Sequence, residues 1–192
     1  MHLVKKTLPF LSLCAALACS GTVSAKEETL ILFQDHHLTI DVPEGYLFSS
    51  SRDDRGIITV KISDPKEKID LQVSFFPDAK NRLATEEGQM SSVAELCQPY
   101  AEGSVEKSYD FKALDPHTGT GTYCVFTDAS LLKKMPFPPG EFLNVTCGVK
   151  SWPACYLIFT LLSNDTTSKE YQAAMKLVKT SFEEKPDPAK TL

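Results

Sequence analysis

Four cysteines, Cys97, Cys124, Cys147 and Cys155, are the residues of this sequence whose type and spacing could do chemistry. Clustered thiols can grip a metal, carry redox equivalents or close disulfides. Zinc sites are built on short C-x2–4-C or H-x3–5-H spacings, and neither occurs beyond residue 25. A C-x-x-C redox pair is absent as well. No metal ligand set is expected, and no cofactor. An even number of cysteines in an exported chain reads instead as two disulfides. In "EFLNVTCGV" the apolar residues Leu143, Val145, Cys147 and Val149 alternate, and in "CYLIFTLLS" Cys155, Leu157, Phe159 and Leu161 do the same. A hairpin centred on Ser151 would set Cys147 opposite Cys155 and align both apolar faces. That leaves Cys97, on a helical face, to pair with Cys124 in the strand "TYCVFTD". In the chain-entropy account the longer bridge is worth ~3–4 kcal/mol and the hairpin bridge ~2–3 kcal/mol.

Other candidate groups are thin. His36 and His37 are adjacent, so on a strand they point to opposite faces and cannot grip one ion together. His117 lies in the turn Asp115-Pro116-His117-Thr118-Gly119 and reads as a polar turn residue. No G-x-S-x-G, H-E-x-x-H, Walker loop or G-x-G-x-x-G occurs. The sequence therefore carries no catalytic residue that can be named, and a non-enzymatic protein is expected.

These groups must be placed by a chain that opens "MHLVKKTLPFLSLCAALACSGTVSAKEE". Lys5 and Lys6 precede an apolar stretch from Leu8 to Cys19, and Val23-Ser24-Ala25 supplies a small-x-small site, so a signal peptide over residues 1–25 with cleavage after Ala25 is expected. Twelve apolar residues fall short of the about 20 that a membrane span needs, and no later run is longer. "ALAC" resembles a bacterial lipobox with Ala16 in the usual leucine position, so a lipid anchor on Cys19 is the alternative. A periplasmic or secreted location follows from the first reading and a membrane-tethered lipoprotein from the second.

Cleavage would leave 167 of the 192 residues, one domain by length. It also removes two lysines and no acid, taking the formal charge from −5 to −7. With no basic block, nucleic acid is not an expected partner. Strands are expected at "LILFQ", "HHLTIDVP", "IITVKIS" and "KIDLQVSFF", the last alternating Ile69, Leu71, Val73 and Phe75 with polar residues. A helix around Cys97 follows, with Met90, Val93, Ala94, Cys97, Tyr100 and Ala101 at helical spacing and Gly103 to end it. Four strands come next, at "SVEKSYDFKAL", "TGTYCVFTDA", "EFLNVTCGV" and "CYLIFTLLS". A closing helix over "TSKEYQAAMKLVKTSFEE" is expected to start on a Thr167–Glu170 capping box and to bury Tyr171, Ala174, Met175, Val178 and Phe182. Residues 186–192 read as a flexible tail. The class is α+β.

The succession "HHLTIDVPEGYLFSS", "KIDLQVSFF" and "SKEYQAAMKLVKTSF", with Tyr46 after the proline and Ser181-Phe182 ending the helix, resembles the PsbP-like family. The resemblance spans residues 26–185 as a single domain. It implies a central antiparallel β-sheet flanked by helices, an α/β/α sandwich, and a non-enzymatic binding or assembly role. The two expected disulfides depart from the plant and eukaryotic members, so their partners are not carried over.

For a binding surface the sequence offers "SLLKKMPFPPGEF", Ser130 to Phe142, a long connection with apolar residues among two lysines and three prolines. Proline lowers the entropy cost of holding such a loop for recognition. Its apolar residues either fold back over the end of a sheet or form a lip for a partner. Trp152, the only tryptophan, either anchors an interface or caps the core edge. Met135, Phe137 and Trp152 are the candidate partner-binding residues, and another envelope protein is the expected partner. A periplasmic inhibitor or immunity-type protein is the alternative, and a hydrolase whose residues only the fold assembles is the reading from another class.

Overall fold

The computed structural model of the chain describes residues 26–32, 37–153 and 155–185. The expected leader, its cleavage point after Ala25, Cys19, His36 and the tail after residue 185 lie outside the described residues. The elements are β1 (Lys26–Ile31), β2 (His37–Val42), β3 (Leu47–Arg52), β4 (Ile58–Ser63), β5 (Ile69–Pro77), α1 (Glu86–Gly103), β6 (Lys112–Ala113), β7 (Thr120–Thr127), β8 (Asn144–Trp152), β9 (Cys155–Ser163), α2 (Lys169–Thr180) and β10 (Glu183–Lys185). Seven strands form one sheet in the order β3-β4-β5-β9-β8-β7-β6, and β1-β2-β10 form a second. Every pairing is antiparallel. The α+β class with a large antiparallel sheet is what the sequence leads one to expect.

Alternation decides which face each strand buries. Ile58, Val60 and Ile62 of β4 and Ile69, Leu71, Val73 and Phe75 of β5 are buried beside Leu157, Phe159 and Leu161 of β9. On this face α2 contributes Tyr171, Ala174, Met175, Leu177 and Val178, and β2 contributes Leu38, Ile40 and Val42. Phe182 meets Phe75 edge-on, with centroids 5.7 Å apart. The other face carries a second core, in which Val93, Cys97 and Ala101 of α1 pack on Cys124 and Phe126 of β7 and on Cys147 and Val149 of β8. The two helices therefore sit on opposite faces, and β8 between them is buried on both sides.

That two-sided burial overturns the expected hairpin. Trp152 pairs with Cys155, Gly148 with Phe159 and Cys147 with Thr160. Cys147 points toward α1 while Cys155 points toward α2, so a Cys147–Cys155 bridge cannot form. A register step of odd length exchanges the faces of all side chains in a strand, and the expected register assumed a single buried face. The observed one places Gly148 between aromatic neighbours: a Cβ there would lie 2.5 Å from the Phe159 ring and 2.6 Å from Tyr123 Cβ. The expected Cys97–Cys124 bond is not seen either. The four cysteines are buried, and no two sulfurs stand at bonding distance.

Smaller differences have equally local causes. β3, which no apolar alternation marks in the sequence, is an exposed serine-rich edge strand. The strand expected from Ser104 shrinks to β6 and one bridge between Ser104 and Asp128. The cap of α2 is Ser168, whose hydroxyl accepts the Tyr171 N–H, one residue later than expected. Thr167 instead donates its hydroxyl to Asp165 Oδ1 at 2.7 Å.

Candidate functional site

The connection from β7 to β8 is held at both ends. At its entry the Asp128 N–H donates to Leu143 O at 2.8 Å, the Ala129 N–H to Gly103 O, and Asp128 Oδ1 accepts the Ser130 N–H. Glu106 fastens the same corner by accepting the Thr127 N–H at 2.9 Å and its hydroxyl at 2.8 Å. At the exit the Leu143 N–H donates to Asn164 Oδ1 at 2.8 Å. Leu131 is buried and pins the turn, while the neighbouring Leu132 exposes 54% of its surface and Met135 77%. Lys133 and Lys134 are exposed beside them, and Phe137 is half-buried. Exposed Val105, whose N–H donates to Thr127 O, adds apolar surface at the base. Of the two readings of this segment, Leu131 follows the fold-back and Leu132 and Met135 follow the lip.

Trp152 leaves the candidate surface. It is 8% exposed, belongs to the core on the α2 side, and donates its indole N–H to Thr118 Oγ1 at 3.2 Å. The Lys150 ammonium lies 4.8 Å from the centre of its ring. Lys150 is wholly buried, and its Nζ reaches Lys179 O at 3.0 Å, Phe182 O at 3.2 Å and Val178 O at 3.3 Å. A cation thus caps the C-terminal carbonyls of α2 from within the sheet, where the helix dipole favours positive charge. Sequence reading passed over Lys150, since a lysine on a strand is ordinarily solvated. Gln89 was passed over for the same reason, although it falls in line with Val93, Cys97 and Ala101. It is buried, donates to Leu83 O and Thr120 Oγ1, and accepts from Thr122 Oγ1.

Three thiols meet under α1. Cys124 and Cys147 are directly opposed across β7 and β8 and share the face that Cys97 covers. Interaction with the neighbouring Cys147 thiol, and then burial, raise the Cys97 thiol far above its ordinary range and keep it protonated. Burial pushes the Cys124 thiol up to about 12. Tyr100, one turn beyond Cys97, also has its phenol raised, by burial and then by its closeness to Cys147 and Cys97. Thiols held protonated are poor nucleophiles and poor metal ligands. Among the described residues no group of three or more His, Cys, Asp or Glu side chains is placed to hold a metal ion.

A cleft of about 530 Å³ runs beside α1, lined by Arg82, Ser91, Ser92, Glu95 and Leu96 and floored by Tyr156 and Ile158. Tyr156 stacks on Phe76, with ring centres 5.1 Å apart. A second, of about 560 Å³, lies along Pro43–Phe48 with Lys26 and Glu28 on its edge. No histidine lines either cleft, and exposed His117 is tied by its N–H to Lys179 O. No described helix is long and apolar enough to cross a membrane.

Comparisons of the chain with protein-family models, with curated proteins and with solved structures give no match.

Proposed function

We propose that this chain is an exported, non-enzymatic binding or assembly protein that acts through the lip between β7 and β8. One observation carries the reading. Leu132 and Met135 stand exposed on a segment whose two ends and whose neighbour Leu131 are fixed. Large apolar side chains held in solvent on an ordered loop fit an interface anchor, because the ordering entropy has been met before the partner arrives. Lys133 and Lys134 flank them, so the fitting partner is an envelope protein with an apolar recess edged by carboxylates. Residues 1–25 supply the export signal in this reading, with a lipid anchor on Cys19 as the variant that keeps the protein at a membrane. An antiparallel sheet with one helix on each face is in keeping with the PsbP-like resemblance.

The test places a photo-crosslinking residue at position 134 and compares the native lip with a Leu132→Ser/Met135→Ser variant. Adducts with one envelope protein are expected, falling about ten-fold in the variant, as losing a central anchor does. Because both residues are exposed, the thermal midpoint should stay put. Equal adduct yield from both proteins would overturn the role of the lip. Phe137→Ser, tested separately, reports on the half-buried part of the segment.

A further inference from the structure

We propose that two copies of this chain join edge to edge through β3, as a two-fold symmetric dimer centred on Ser50. In the turn after β3 the Asp53 N–H donates to Ile57 O, and this pair continues the register of β3 on β4. Bonded pairs alternate along an antiparallel ladder, so Leu47, Ser49 and Ser51 direct their backbone groups to β4. The N–H and C=O of Phe48, Ser50 and Arg52 therefore face outward, and among the described residues no backbone group pairs with them. Proteins ordinarily blunt such an edge by shortening it, or with charge, proline or a bulge. The other sheet ends follow that rule: β6 has two residues, β10 three, and β1 begins Lys-Glu-Glu. β3 runs six residues in unbroken register without proline, and Ser49, Ser50 and Ser51 are exposed. Its only charge, Arg52, is tied to its own chain, the guanidinium donating to Ile31 O and Leu32 O.

A second copy fits this edge because the strand is symmetric about Ser50. Outward residues must meet outward residues, which leaves few antiparallel registers. Only one of them uses all three on both copies, with Ser50 opposite its counterpart and Phe48 opposite Arg52 of the second copy. A shift of two residues either way leaves Phe48 or Arg52 with no strand residue opposite. Each bonded pair exchanges two N–H···O bonds, so every outward donor and acceptor of both strands is satisfied. Ser49 meets Ser51, small hydroxyl side chains that let the backbones close, and no like charges stand opposed. The assembly stops at two copies, because pairing occupies β3 on both and leaves the two-residue β6 at each outer edge. The lip between β7 and β8 lies toward that outer edge, so the dimer carries one lip near each end. Two lips on one body raise avidity for a partner that presents several recesses, without any new contact.

The experiment is sedimentation equilibrium of the full chain, kept reduced so that no disulfide joins two copies, from about 1 to 500 μM. A monomer–dimer equilibrium is expected with a dissociation constant of roughly 10–100 μM, the weak class to which a single strand pair belongs. Ser50→Lys and Ser50→Glu each set like charges against each other across the two-fold axis, and each should weaken self-association at least about ten-fold. Mixing the two variants should restore it as a heterodimer. Ser50 is exposed and its backbone groups face away from β4, so both thermal midpoints should stay within about 2 °C of the parent. Leu132→Ser/Met135→Ser should leave the equilibrium unchanged, which separates this dimer from the lip reading. A chain that stays monomeric throughout, or grows beyond the dimer, would overturn the proposal. So would a dimer indifferent to both charges, a mixture that fails to reassociate, or one that the lip variant dissolves.

Discussion

Lys150 shows how much one side chain can tie together. Its ammonium is buried against three carbonyls at the end of α2 and lies over the Trp152 ring. Removing it would leave the Val178 and Phe182 carbonyls without this donor inside a low-dielectric core, while Lys179 O keeps the His117 N–H, and that loss costs more than an ordinary hydrogen bond. Lys150→Ala is expected to destabilise the fold by about 3 kcal/mol, measured as the shift in a urea unfolding curve at constant slope. A change under about 0.5 kcal/mol, the usual range for a surface site, would mean that the carbonyls find water instead. The thiols illustrate the opposite case, in which burial silences a group. With its thiol pushed up to about 12, Cys124 is protonated at neutral pH and gains reactivity only when α1 lifts or the solution turns strongly alkaline.

Among the elements, β8 sets the arrangement. Its odd residues, Cys147 and Val149, face α1, and its even residues, Thr146 and Lys150, touch α2, Thr146 through a 2.9 Å hydroxyl pair with Tyr171. Gly148 fixes its register by letting the Phe159 ring and Tyr123 close over it. Gly148→Ala is expected to cost about 1–3 kcal/mol in chemical denaturation, the ordinary range for overpacking a core. If the variant were as stable as the parent, register would have to be set elsewhere. This is also where sequence reading reached its limit. The strands β4 and β5 and the buried face of α2 were legible because each has one apolar side. In "CYLIFTLLS" both sides are apolar, so periodicity could not choose a register, and the cysteine pairing inferred from it fell with it. The lip was legible as a proline-rich apolar connection, but which of its residues would turn inward depended on contacts with the end of α1.

Across the whole molecule, surface carboxylates make the fold sensitive to acid. The Ile57 N–H holds Asp53 below the ordinary carboxylate range, the Thr167 hydroxyl does so for Asp165, and the Lys68 ammonium, 2.6 Å away, does so for Glu170. For Glu106 burial works in the other direction, yet the hydrogen bonds from Thr127 prevail and its carboxyl is lowered too. A carboxylate lowered on folding contributes stability that is present above its unfolded value, about 4, and is lost as pH falls through the folded value. The urea midpoint should therefore change little between pH 8 and 5 and drop below about pH 4. A midpoint unchanged at pH 3 would show that these contacts do not distinguish folded from unfolded chain.

The small sheet has β2 at its centre, with β1, the first strand, on one side and β10, the last, on the other. A chain emerging from its N-terminus, from a ribosome or through a translocation channel, can pair β1 with β2 at once. The second edge of β2 must then stay open until residues 183–185 arrive, by which time the rest of the domain has been delivered. Residues 183–185 thus complete a sheet begun by residues 26–42, and a chain released into solution only as far as residue 182 would leave one edge of β2 unpaired. For a chain of this topology, quality control that senses open edges would read out whether β10 had been delivered to β2.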